Sequence, residues 1–157
     1  MTDANLDVVL ANPLAERLGG GALSPGANRV LALFSERARA ISDDWEAEAR
    51  AIVGALRMRG NPDDRRFQEV IGRLSVADLT FRSLWAAQHV SVLTTGSVVL
   101  ETPEPGVVRF DRQDLRLAGV RDRWLTVLTA APGSAAEVAL AAASRDPALR
   151  TEEPIAS

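Results

Sequence analysis

The residues best suited to hold a ligand fall in two places. Arg82, Trp85 and His89 stand at i, i+3 and i+7, and Arg29 follows Asn28 where a helix is predicted to start. On one continuing helix the first three would share a face. An arginine fork offers a carboxylate two parallel donors, and a tryptophan adds apolar wall with one N–H. That combination suits an acid with an apolar body. The plainer alternative makes Trp85 core and pairs Arg82 with a carboxylate on the helix surface. Arg29 either reaches into a pocket or caps neighbouring carbonyls. His89, the only histidine, either gates an acidic ligand by titrating near neutral pH or satisfies a backbone hydrogen bond. Trp45, Phe34, Phe67 and Phe81 lie on apolar helix stripes, where core and pocket lining are one surface.

Composition removes most other chemistry. The 157 residues hold no cysteine and no tyrosine, and a single histidine. Disulfides, thiol nucleophiles, iron–sulfur clusters and multi-histidine metal sites are thereby excluded. Ser134 in Pro-Gly-Ser-Ala is a helix cap rather than a nucleophile elbow, and Gly19-Gly20-Gly21 lacks the context of a phosphate loop. Asp43-Asp44 and Asp63-Asp64 read as caps, and Asp111 with Asp114 reads as loop; none has calcium-ligand spacing. No catalytic residue, metal or cofactor is therefore expected. The net charge of −3 argues against this chain itself gripping DNA. There is no run of 18 apolar residues and no basic-then-apolar leader, which predicts a cytoplasmic protein. A homodimer is left open.

These residues must be positioned by two kinds of element. Leu6 to Ala11 reads as a first strand, stopped by Asn12-Pro13, with Pro13 able to open a helix. Asn28 to Arg39 and Asp43 to Arg59 read as helices, the second with Asp43 and Glu46 at capping-box spacing. Asp63 or Asp64, then Asp78, would cap two more helices. After His89 the period becomes two. Val90–Thr95 and Val98–Thr102 read as strands joined by a tight turn at Thr95-Gly96-Ser97. Val107 to Phe110, extending toward Leu117, and Trp124 to Ala130 complete the strands. Ser134 and Glu137 then cap an Ala-rich helix to about Ser144, and a flexible tail is expected from residue 146. Helices thus segregate from a meandering sheet, which indicates α+β with five antiparallel strands and an enclosed apolar interior.

Several short blocks recur in a family order. They are Asn12-Pro13-Leu14-Ala15, Asn28-Arg29, Asp44-Trp45-Glu46, Pro62-Asp63-Asp64, Phe81-Arg82-Ser83-Leu84-Trp85-Ala86 before His89-Val90, and Ala131-Pro132-Gly133-Ser134. Over about residues 6 to 143 the chain resembles the MmyB-like ligand-binding domain of actinobacterial transcription regulators. The resemblance implies a PAS-like fold, a fatty-acid-like ligand in a buried pocket, and control of antibiotic or secondary metabolism. DNA binding in that family belongs to an XRE-type helix-turn-helix, which these residues do not include. The resemblance therefore implies a PAS-like sensing domain at residues 1–145 rather than a structural dimerisation domain or a small isomerase or cyclase. Its ligand residues would be drawn from Asn28, Arg29, Phe34, Trp45, Phe81, Arg82, Trp85 and His89. The sequence departs from the family where a lysine usually follows Gly96 by two positions and where a His-Pro pair follows later; here Ser97-Val98 and Thr102-Pro103 stand instead.

Overall fold

A computed structural model describes residues 1–145. The tail expected from residue 146 lies outside the described residues. Asn12 accepts from the Ala15 N–H and starts helix α1 (Pro13–Gly19), with Pro13 in its first turn. A short 3-10 turn (Gly20–Ala22) follows, then α2 (Arg29–Leu33), α3 (Glu36–Ile41), α4 (Trp45–Arg59), α5 (Arg65–Ala77) and α6 (Leu79–Ala86). Strands β1 (Thr95–Glu101), β2 (Val107–Arg116) and β3 (Trp124–Thr129) form an antiparallel sheet in the order β1-β2-β3, and α7 (Ala135–Ser144) closes the chain.

Side-chain caps set most helix starts. Asn28, Ser35, Asp64, Asp78 and Ser134 each accept a backbone N–H of the first turn. The predicted helix over Asn28 to Arg39 is two helices, because Ser35 caps α3 immediately after Phe34 ends α2. The expected Asp43–Glu46 box is not used: α4 begins at Trp45, and its N-cap residue Asp44 makes no side-chain cap bond.

The α+β class holds, but the expected five strands are three. Residues 6–11 form isolated bridges only. Asp3 draws the N–H groups of Asn5 and Asp7 into a turn, both at 2.9 Å, and Leu6 has φ +64, so no extended run can form there. Of that segment, Asp7 bridges to Asn28 and Val8 to Thr2, while Thr2 also bridges to Trp124. The predicted strand Val90–Thr95 is also absent as a ladder. Its polar groups go to neighbours: Arg59 donates to the Leu93 carbonyl at 3.2 Å, and Asp114 N–H to the Thr94 carbonyl at 2.7 Å. Ser91 lies so close to Gly54 of α4 that any Cβ there would come within 2.7 Å of its Cβ. The tight turn predicted at Thr95-Gly96-Ser97 is strand instead, paired residue by residue from Thr95↔Gln113 to Glu101↔Val107.

Two apolar clusters result. The helical one buries Phe34, Trp45, Phe67 and Phe81 among Leu and Val side chains from α2, α4 and α5. Its rings meet edge to face, Phe34 with Trp45 at 5.3 Å and with Phe81 at 5.4 Å, while Trp85 stacks on Phe81 at 5.8 Å. Such pairs add about 0.5–1.5 kcal/mol each beyond area burial. The second cluster packs Leu100, Val108 and Phe110 of the sheet against Leu18 of α1 and the alanine face of α7, Ala136, Ala139 and Ala143.

Candidate functional site

Strand β2 carries the site. Alternate residues are buried, so Val108, Phe110, Arg112 and Asp114 all point to one face. The first two complete the sheet cluster. The next two carry charge into the interior at the seam between the clusters. The Asp114 carboxylate is fully buried and the Arg112 side chain 7% exposed, and they form an ion pair. Arg29, at the start of α2 and 11% exposed, adds a second guanidinium: its Nη1 donates to Asp114 at 3.1 Å and to the Thr126 hydroxyl at 3.2 Å. Thr126 in turn donates to Asp114. A single Arg29 nitrogen makes both bonds, which leaves Nε and Nη2 for a ligand.

Arg59, from the last turn of α4, is the third cation. Its guanidinium lies over the Trp124 ring at 4.4 Å, and its Nε and Nη1 are buried without a hydrogen-bond partner. Burial pushes the proton affinity of Arg29, Arg59 and Arg112 down to about 10 in each case, and for Arg59 and Arg112 the charge of Arg29 adds to the effect. All three remain charged at neutral pH. The second acid nearby, Glu48 of α4, is bound to Arg109 at 3.7 Å and to the Ser42 hydroxyl at 3.2 Å. Burial holds its carboxyl above the usual carboxylate range. Arg29 and Arg112 thus share one fully buried carboxylate, and Arg59 stands apart from it over the Trp124 ring. Unmatched buried charge is costly, and a further anion beside these guanidiniums would lower that cost.

Two cavities meet at the cluster. One has a volume of about 380 Å³ and is walled by the N-terminal segment, including Val8, Leu10 and Pro13, and by Leu125 and Leu128 of β3. The other has a volume of about 120 Å³ and lies between the helices and β1, with Leu33, Ala51, Ile52 and Leu93 in its wall. Leu23, Arg29, Val98 and Arg112 belong to both walls. Both linings are mainly apolar; besides Arg29 and Arg112 in the shared wall, Glu48 lines the smaller cavity and the N-terminal residue Met1 the larger. Gly96 faces Arg112 across the ladder, and a Cβ there would come within 2.8 Å of the Arg112 Nη2. The absent side chain makes room for the guanidinium.

The residues singled out from sequence separate in space. Arg29 lines both cavities. Asn28 is buried beside it as the cap of α2, accepting from the Val30 and Leu31 N–H groups and donating to the Asn5 carbonyl and to Asp7. Phe34, Trp45, Phe81 and Trp85 belong to the helical cluster, and none is in either cavity wall. Trp45 spends its Nε1–H on the Leu33 carbonyl at 2.7 Å. Arg82 and His89 are exposed. The shared face expected of Arg82, Trp85 and His89 does not form, because α6 ends at Ala86 and Gln88 takes φ +54 before His89 is reached. Asp114, read as loop, is strand interior. Arg59, Arg112 and Asp114 were missed. The available signal was the period-two burial of Val108 and Phe110, which continues onto Arg112 and Asp114.

Among the described residues no cluster of three or more His, Asp or Glu side chains could hold a metal, and no helix is long and apolar enough to cross a membrane. A family model described as the MmyB-like transcription regulator ligand binding domain matches residues 1–143. No curated protein and no solved structure matches the chain significantly.

Proposed function

The chain belongs to the family of MmyB-like transcription regulator ligand binding domains, and from that premise we propose that it senses an apolar acid, with a fatty-acid-like molecule as its ligand. One observation supports the reading: two guanidiniums, Arg29 and Arg112, share one buried carboxylate where two apolar cavities meet. The acid head would join Asp114 as the second counter-ion, with Arg29 and Arg112 as its donors. The apolar body would lie in the cavities, since each methylene buried contributes about 0.8 kcal/mol.

In this reading residues 1–145 sense and do not catalyse. Sequence-specific DNA contact falls to a helix-turn-helix domain of the XRE type, and the protein works in the cytoplasm. The genes controlled belong to antibiotic or secondary metabolism, a point that rests on the family alone. Occupancy of the larger cavity would be felt first by residues 1–15, which supply much of its wall.

The test is a melting-shift series with straight-chain acids from about eight to eighteen carbons. The midpoint is expected to climb with length and then level off, and matched fatty alcohols are expected to shift it less. A flat response to every acid would return the domain to the alternative of a structural dimerisation unit.

A further inference from the structure

We infer that the pocket is shaped for an acid whose carboxylate sits between two apolar arms of unequal size, as in an acid branched at its second carbon, and not at the end of one chain. This deepens the proposed function and rests on its reading of the ligand as an apolar acid. The argument is the position of the charge. Arg29 and Arg112 stand in the shared wall of the two cavities, with apolar volume on both sides of them. The larger cavity is about 380 Å³ and the smaller about 120 Å³, close to three to one.

A straight-chain acid with its head on these guanidiniums can send its chain into only one cavity. The other keeps unfilled apolar volume. A branched acid sends one arm each way from the same head position. It gains the burial of the short arm at no cost in charge pairing. The linings of both cavities agree with this: Leu10 and Leu128 are in the wall of the larger, and Leu33 and Ile52 in that of the smaller. Glu48 is also in the wall of the smaller cavity, but it is bound to Arg109 and Ser42. It therefore opposes a second acidic group at that end.

The experiment compares two isomers of fourteen carbons, tetradecanoic acid and 2-propylundecanoic acid, by calorimetric titration of the whole chain. The isomers have equal carbon counts and differ in whether the smaller cavity is filled. Burial there of about two methylenes that would otherwise lengthen the single chain predicts that the branched isomer binds about tenfold tighter or better. Ala51→Leu should then remove that advantage. Ala51 lies on α4 in the wall of the smaller cavity alone, and leucine suits a helix. Tetradecanoic acid should lose much less on the variant than the branched isomer does. Ala38→Leu, from α3 into the same cavity, repeats the test should Ala51→Leu fail to fold. Equal or tighter binding of the straight isomer to the parent overturns the inference. So does an equal loss for both isomers in a folded variant. If neither isomer binds, the acid reading fails and takes this inference with it, whereas tight binding of the straight isomer alone leaves the acid reading standing.

Discussion

The helical half and the seam beside β2 solve opposite problems. In the helical half, large rings fill space against one another, and the arginines that approach them stay at the rim: Arg39 covers the Trp45 ring at 3.7 Å and Arg57 the Trp85 ring at 3.9 Å. At the seam the fillers are small or charged. Alanines of α7 face the sheet, and Arg29, Arg112 and Asp114 occupy positions where Leu or Phe would close the interior. Close packing makes the first region solid. The second keeps volume and an unmatched charge. Packed aromatic rings thus mark the solid region, and the buried charge of Arg29, Arg112 and Asp114 marks the one that keeps volume.

The largest test of that contrast is Phe81→Ala. Phe81 is fully buried and touches the rings of Phe34 and Trp85. Its loss should cost about 3–5 kcal/mol, or a fall of roughly 10 °C in the melting midpoint. The added shift produced by a bound acid should survive at a temperature where the variant is folded. Loss of that shift would mean that the two regions are not separable.

Next comes Asp114→Ala, which removes the one carboxylate shared by Arg29 and Arg112. Breaking a buried pair costs about 3–5 kcal/mol, and the lower figure applies here because the adjoining cavities admit water to the guanidiniums. An added apolar acid should restore more stability to this variant than to the parent. A midpoint equal to the parent's would show that the charge imbalance is not felt.

Asn28→Ala should cost about 2 kcal/mol, combining a lost cap with buried partners left unmatched. Asn28 holds the start of α2 to the N-terminal turn, so it fixes the backbone from which Arg29 departs. Acid binding should weaken along with stability, which chemical denaturation and titration read separately. Binding at full strength in a destabilised variant would detach Arg29 from its cap.

The smallest effect is a pH dependence. Glu48 has its carboxyl raised by burial, so the folded state holds that proton more tightly than the unfolded state does. Its ionised form is then a burden above the folded value, and acidification through that value relieves it. Glu48→Gln should raise the midpoint slightly at pH 7 and leave it level with the parent near pH 4. The helical cluster holds no such group, so Phe81→Ala should shift the midpoint equally at both pH values. A Glu48→Gln midpoint below the parent's at pH 7 would mean that the bond to Arg109 outweighs burial.

Much of this was legible in the sequence where side chains report their own environment. Asp78 and Ser134 cap the helices they were read to cap, and of the pair Asp63 and Asp64 it is Asp64 that caps α5. The stripe through Trp45, Ala49, Ile52, Val53 and Leu56 is the buried face of α4. Arg29 was legible from its place after Asn28. What was not legible depends on partners distant in sequence. Arg112 and Asp114 look like surface residues until Arg29 and Thr126 are brought to them. Arg59 looks like a cation answering a helix dipole until Trp124 lies beneath it. Val90 to Thr94 alternates like a strand, but α4 reaches it first, through Gly54 and Arg59. The end of α6 is marked by neither glycine nor proline, which is why His89 could be placed one turn too far along a helix.

The bridge between Thr2 and Trp124 has a consequence for the order in which the domain is made. The two residues exchange both backbone hydrogen bonds, at 2.8 and 3.0 Å, across more of the chain than any other such pair in the fold. Contacts that close so long a loop are slow to form, because the chain entropy must be surrendered before the contact returns anything. During synthesis the N-terminal segment emerges first, yet it can be seated only after β3 has left the ribosome. The outer wall of the larger cavity is therefore made well before it can close. The helical cluster, complete by Trp85 apart from Leu6, is by then available as a platform on which that wall is seated.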